Sequence, residues 1–399
     1  MIKREIEAEL RAAAAEYPVV TIVGPRQSGK TTLARLVFPD KPYYSLEEPD
    51  IRLQASEDPR GFLAGVPNGA VLDEIQRLPE LLSYIQGLVD ASPEPGRFVL
   101  TGSHQPQLHE AVSQSLAGRT AVLTLWPFSM PELKTYREAW SPFELMVTGG
   151  YPRVHDRQLD PRRFYNGYVQ TYVERDVRIL LELRDLDVFQ KFLKLLAGRI
   201  GQLVNYSSLS NDVGVSVSTI KNWLSVLMAT YLVVELQPYF ENVSKRVVKS
   251  PKLYFTDVGL AAYLLGIHDA DQAARDPLRG ALFENLILTE VLKGAYNRGY
   301  RPQVYFYRDS NGNEVDLVIR EGRRLIPIEI KSASTFTPDF IRGIRRLQEA
   351  SPDAGPSGFV LYSGDRDFVF KETRVLNPLS QQDLWSTLTA ESSEVEIDG

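Results

Sequence analysis

Short apolar runs and helical periods alternate along the first third of the chain. The runs PVVTIV (Pro18 to Val23), YYSL near Tyr44, GAVLDE (Gly69 to Glu74), RFVLTGS (Arg97 to Ser103) and AVLTLW near Leu123 read as buried strands. A helical pattern, TTLARLVF, follows the first of them, and the opening stretch MIKREIEAELRAAAAEYP reads as a charged amphipathic helix. Strands alternating with helices predict an α/β fold with a doubly wound parallel sheet. From Met130 to Asp187 the pattern turns helical and rich in aromatics. In LVNYSSLSNDVGVSVSTIKNWLSVLMATYLVVELQPY a short helix, a turn at Gly214, a second helix capped by Ser216 or Ser218 and a β-branched strand predict a winged helix-turn-helix. Further on, LFENLILTEVLK reads as an amphipathic helix, and YFYRDSNGNEVDLVIREGRRLIPIEIKSA as a hairpin turning at Gly322. The acidic end, AESSEVEIDG, has no apolar period and is expected to be disordered.

A length of 399 residues implies two or three domains. The absence of cysteine excludes disulfides, zinc-thiolate sites, iron–sulfur clusters and cysteine nucleophiles, and four scattered histidines argue against a histidine metal site. A net charge of −6 confines any nucleic-acid binding to a local patch. One such patch is KRVVKSPK, with Lys245, Arg246, Lys249 and Lys252; a solvated hairpin is the competing reading. No apolar run reaches the ~18 residues of a membrane span, and the N-terminus lacks a signal-peptide layout. A cytoplasmic protein with no membrane partner is expected.

The stretch after the first strand fits GxxxxGK(S/T), with Gly24, Gly29, Lys30 and Thr31 at the required spacing between a strand and a helix. The loop Gly24, Pro25, Arg26, Gln27, Ser28, Gly29, Lys30, Thr31 and Thr32 would turn its backbone N–H groups onto phosphates at a helix N-terminus. Lys30 would reach the β- and γ-phosphates, and Thr31 would ligate magnesium. ATP or GTP is the expected ligand. The strand GAVLDE ends in two acids: Asp73 would hold magnesium through water, and Glu74 would orient the attacking water. Thr101 or Ser103, at the end of RFVLTGS, would sense the γ-phosphate or else cap the next helix. Arg119, in SQSLAGRT, reads either as an arginine finger for a neighbouring subunit or as a C-terminal helix cap. Arg153, Arg175 and Arg178 read as nucleotide or subunit contacts, or as partners of Glu174 and Asp176 on a helix surface. The second helix of the winged motif offers only Lys221 and Asn222 to a groove, which favours packing or oligomerisation over DNA reading.

These stretches together resemble a widespread prokaryotic family of AAA-type ATPases whose C-terminal half is a domain of unknown function. GPRQSGKTTL, LDEIQ, TGSHQ with SLAGR, GGYPRV, VERDV, SVSTIKNW, KRVVKSPKLYFTDVGL, ALFEN and EVDLVI with IEIKS carry the resemblance, from about Gly24 to Ser332. It implies an AAA-like P-loop domain, a winged helix and a nuclease-like terminal fold, and implies no reaction. The expected order is an ATPase domain (1–130), a helical lid or linker (131–187), a winged helix (188–250), a restriction-endonuclease-like α/β domain (251–385) and an acidic tail (386–399).

The last hairpin carries further chemistry. Glu314 and Asp316 stand on one strand, Glu329 and Lys331 on the next, and Glu284 on the preceding helix. Glu329 and Lys331, two apart, share one sheet face. A helical acid, a strand acid and acid-x-lysine resemble the site of PD-(D/E)xK nucleases, although Glu314-Val315 stands where the motif has its leading proline. In that chemistry Asp316, Glu329 and Glu284 would hold magnesium or manganese, and Lys331 would position or deprotonate the attacking water. The leading expectation is an ATPase coupled to a module that processes DNA or RNA, working as a homo-oligomer. The rival is an ATP-dependent switch or scaffold for a protein partner, with an inactive nuclease-like domain.

Overall fold

The computed structural model describes residues 2–103, 112, 114–172, 181, 185–240 and 250–390. Its N-terminal sheet comprises β1 (Val19–Gly24), β2 (Tyr43–Ser45), β3 (Val71–Asp73), β4 (Phe98–Ser103) and β5 (Thr120–Thr124), all parallel, in the order β2-β3-β4-β1-β5. Alternation along β1 explains the layering. Val19 and Val23 join a core with Leu82, Ile85 and Val89 of the helix Leu81–Ala91 on one face. Val20 and Ile22 join Leu10 of the helix Glu7–Glu16 and Leu33 of the helix Lys30–Val37 on the other. The sheet is therefore covered on both faces, as β-branched strands without polar alternation require. Because β4 lies between β1 and β3, the phosphate-loop strand and the acid-bearing strand end side by side across one intervening strand.

The second body is built on an eight-stranded sheet: β6 (Val233–Pro238), β7 (Lys252–Phe255), β8 (Val304–Arg308), β9 (Glu314–Glu321), β10 (Arg324–Lys331), β11 (Gly358–Tyr362), β12 (Phe368–Phe370) and β13 (Thr373–Leu376), in the order β12-β13-β11-β10-β9-β8-β6-β7. Two helices and the turn between them lie where the sequence places them. Helix Tyr206–Val213 ends at Gly214 in the left-handed conformation, and helix Val217–Ala229 is capped by Ser216, whose side chain accepts from Thr219 N. The strand that follows, β6, pairs with β7 and also runs parallel to β8. The expected boundary at 250 thus falls inside one hydrogen-bonded sheet, and one hydrophobic cluster joins Ile2 and residues from Trp126 to Leu388 across it.

Two expectations need correction. The helix Arg279–Tyr296 is not amphipathic: Leu282, Phe283 and every residue from Asn285 to Lys293 are buried, because it packs against β10 and also reaches the segment after β5. Lys252 belongs to no solvated hairpin or surface patch; it is 3% exposed. Lys245, Arg246, Lys249, Glu174, Arg175, Asp176, Arg178 and the tail from 391 lie outside the described residues. Among the described residues, no helix is long and apolar enough to cross a membrane.

Candidate functional site

Gly24 and Gly29 shape the loop between β1 and its helix. Gly24 has φ +146°, and a Cβ there would collide with the Leu125 carbonyl; Gly29 has φ +95° as the helix N-cap. Lys30 follows and turns its ammonium onto the loop, donating to Gly24 O at 3.1 Å and Pro25 O at 2.8 Å. Burial pulls its pKa down to about 8, against the opposing pull of Glu74 and Asp73.

The acids arrive from β3. Asp73 Oδ1 accepts from Thr31 Oγ1 at 2.8 Å and also from Thr101, while Oδ2 accepts from Tyr43 at 2.9 Å. Of the two candidate sensors, Thr101 is thus committed to Asp73, and Ser103 is the one that reaches the cleft. Glu74 adopts φ +57°, a left-handed conformation that costs a non-glycine residue roughly 1–3 kcal/mol. That turn carries its carboxylate into the cleft, where the Gln76 side chain donates to it.

The cleft, of about 610 Å³, has a second wall beyond the sheet. The helix Pro152–Asp156 presents Pro152, Arg153 and Asp156 to the phosphate loop, and Arg157 follows. Arg153 therefore lines the same cleft as the phosphate loop; Asp156 and Arg157, which line it too, carried no sequence signal. Asp257 sets this wall by accepting from Gly150 N at 2.7 Å and from Tyr165 OH at 2.5 Å. His155 Nε2 donates to Gly149 O at 2.8 Å, and burial holds its pKa below 6.5.

The donor set fits a magnesium-bound nucleoside triphosphate. Gln27 Oε1 and Ser103 Oγ line the cleft and are buried without hydrogen-bond partners among the described residues. A hydroxyl and a carboxylate already meet at Thr31 and Asp73, as octahedral magnesium with few protein ligands requires.

At the far end of the sheet, Arg119 pairs with Asp90 at 2.5 Å and precedes β5, whose Thr120 is in register with Val19. It stands at the strand end opposite the phosphate loop, so only a neighbouring subunit could use it there.

The C-terminal acids do gather, but with two cations among them. Lys331 Nζ lies 2.8 Å from Asp316 Oδ2 and 2.5 Å from Glu329 Oε2; Lys252 Nζ lies 3.2 Å from Glu284 Oε1 and 2.5 Å from Glu314 Oε1. Ile330 N–H and Tyr254 OH complete the shell on Asp316 and Glu284. Burial raises Glu329, reinforced by the Asp316 charge; the carboxylates hold Lys331 and Lys252 above the ordinary lysine value despite burial. Among the described residues no three acids converge to hold a metal. Lys252 and Lys331 relieve the repulsion among these carboxylates, and the Glu284, Asp316 and Glu329 ligand set stands as an expectation.

Residues 16–134 match the family profile of an AAA domain; residues 140–271 and 279–381 match two domains of unknown function, DUF8612 and DUF4143. The chain is 32% identical over 382 residues to the uncharacterized protein Rv2008c of Mycobacterium tuberculosis, spanning 95% of this chain and 84% of that protein. It matches the uncharacterized protein Mb2031c of Mycobacterium bovis to the same extent. An uncharacterized protein of Haemophilus influenzae is 24% identical over 58% of this chain and 58% of its own length. Among solved structures, the Walker-type ATPase PABY2304 of Pyrococcus abyssi aligns with 66% of this chain and 96% of its own, at 17% identity and a TM-score of 0.42.

Proposed function

The chain belongs to the family of the mycobacterial proteins Rv2008c and Mb2031c and opens with an AAA-type, ATP-binding P-loop ATPase domain, and from that premise we propose that it is a magnesium-dependent ATPase acting in the cleft between the phosphate loop and Arg153. The observation that carries the reading is the meeting of Thr31 and Asp73 beside Lys30, with Glu74 turned into the same cleft. Thr31 and Asp73 would hold the metal, which when bound neutralises charge on the phosphates. Lys30 and the loop N–H groups would hold the β- and γ-phosphates. Glu74 would orient the attacking water and take its proton, while Ser103 and Arg153 would face the γ-phosphate. Phosphate release from ATP by the wild type and by Lys30→Ala tests this; equal rates overturn it.

For the C-terminal body, the charge-compensated acid cluster favours the ATP-dependent switch or scaffold over a nuclease. Lys252, which the nuclease motif does not include, sits on Glu284, one of the acids a metal would have to use, and ties it to Glu314. A nuclease-like body without phosphodiester chemistry would pass the nucleotide state on to a protein partner. Metal-dependent cleavage of DNA or RNA that is lost in Asp316→Asn, or strong stimulation of ATP turnover by either nucleic acid, would restore the nuclease reading.

A further inference from the structure

Arg4 sits in the N-terminal stretch that reads as a surface helix, yet it is 8% exposed and its partners lie far along the chain. Its Nη1 donates to Ser28 O in the phosphate loop at 2.8 Å, its Nη2 to Trp126 O at 2.6 Å, and its Nε to Glu132 Oε1 at 2.9 Å. The guanidinium lies 4.8 Å from the centre of the Phe128 ring, and a Cβ built on Gly29 would stand 3.7 Å from Nη1. A guanidinium is a rigid planar fork with donors at fixed angles. It therefore fixes Ser28 relative to the segment that follows β5.

The network continues into the C-terminal body. Glu132 also accepts the N–H groups of Glu5 and Ser129, at 2.8 and 2.9 Å. The Glu5 carboxylate accepts from Ser129 Oγ at 2.7 Å and from Asn297 Nδ2 at 3.0 Å. Asn297 ends the helix Arg279–Tyr296, whose Glu290 accepts from Met130 N at 2.6 Å and whose Lys293 donates to Phe128 O at 2.9 Å. The same helix carries Glu284 of the acid cluster near its other end.

We propose that Arg4 is a positioning residue for ATP hydrolysis: it holds the phosphate loop from beneath at Ser28 and joins it, through Glu132 and Glu5, to the helix that carries Glu284. The proposal rests on the ATPase reading. It gives the nucleotide site a direct mechanical connection to the C-terminal body, because a shift of Ser28 on phosphate binding must move Arg4 or break its fork.

The test uses the full chain with three variants: Arg4→Gln with Glu132→Gln, Arg4→Lys, and Lys30→Ala as the nucleotide-site control. Removing Arg4 alone would strand the buried Glu132 carboxylate; the double amide removes both charges together. Each variant is followed by thermal melting, by binding of a fluorescent ATP analogue, and by kcat and KM for ATP. The expected result is a cooperative melt for the double variant with binding and turnover reduced about tenfold to a hundredfold. Arg4→Lys keeps the charge without the fork and is expected to melt cooperatively, at a somewhat lower temperature, with binding and turnover reduced in the same way. Wild-type binding and turnover in a folded double variant overturn the proposal. If the double variant does not melt cooperatively, Arg4→Lys decides by the same two outcomes. A wild type that binds no ATP analogue sinks the ATPase reading instead.

Discussion

Thr31 Oγ1 donates to Asp73 Oδ1 at 2.8 Å, although 42 positions separate them in the chain. The contact exists because β3 ends beside the start of the helix that follows β1, with β4 between the two strands. Thr31→Ala is expected to retain the fold and to raise the magnesium requirement of ATP turnover. An unchanged magnesium titration would count against Thr31 as a ligand.

Lys30→Ala is expected to remove ATP hydrolysis and weaken ATP binding, since its role is electrostatic and its neighbours are loop carbonyls. Glu74→Gln should bind ATP yet turn it over about a hundredfold more slowly or worse, because the amide keeps the shape but accepts no proton. Single-turnover measurements separate the two; fast turnover by Glu74→Gln removes it from the mechanism.

Lys252→Met leaves Glu284 and Glu314 facing each other without their shared ammonium. Breaking a buried pair on one side costs about 3–5 kcal/mol, which urea denaturation should detect; a loss below about 1 kcal/mol contradicts the packing. Asp316→Asn should spare ATP turnover, as it lies outside the nucleotide cleft. Calorimetry on the Lys30→Ala protein, in which nucleotide is not retained, should show no tight magnesium or manganese site from the C-terminal acids.

Arg119 can act only in trans from its end of the sheet. Mixing Arg119→Ala with Lys30→Ala protein should restore part of the ATPase activity if neighbouring subunits share sites. Absence of rescue, or full activity in a strict monomer by light scattering, leaves Arg119 as the partner of Asp90.

His155 gives a pH dependence whose sign is fixed. Burial depresses its folded pKa, so the unfolded chain takes up a proton first as pH falls through 6.5. Stability contributed above pH 6.5 is lost below it, down to the folded pKa, at no more than about 1.4 kcal/mol per pH unit. His155→Gln should flatten this part of the curve, as measured by urea midpoints between pH 7 and 5; an unaltered slope assigns the loss to other groups.

The phosphate loop was legible because its chemistry is contiguous: two glycines, a lysine and a threonine fit one strand–loop–helix. The hairpin was legible for the same reason, down to the turn at Gly322 and the shared face of Glu329 and Lys331. Arg4 was not, since 128 positions separate it from Glu132, and a charged, glutamate-rich start reads as an amphipathic helix with its charges in water. Lys252 misled in the same way: neighbouring cations suggested a patch, while its register in β7 turned it towards Glu284. The helix Arg279–Tyr296 carries Asn285, Glu290 and Lys293 among its buried residues. Those polar side chains resembled a wet face because their partners, Phe255, Met130 and Phe128, come from distant segments.

The pairing of β6 with β8 bears on how such chains are inherited. The two profiles of unknown function meet between residues 271 and 279, yet β6 and β7 belong to one and β8 to β13 to the other. A gene fusion or split at that junction would sever a continuous sheet and bare an unpaired strand edge on each fragment, an invitation to self-association.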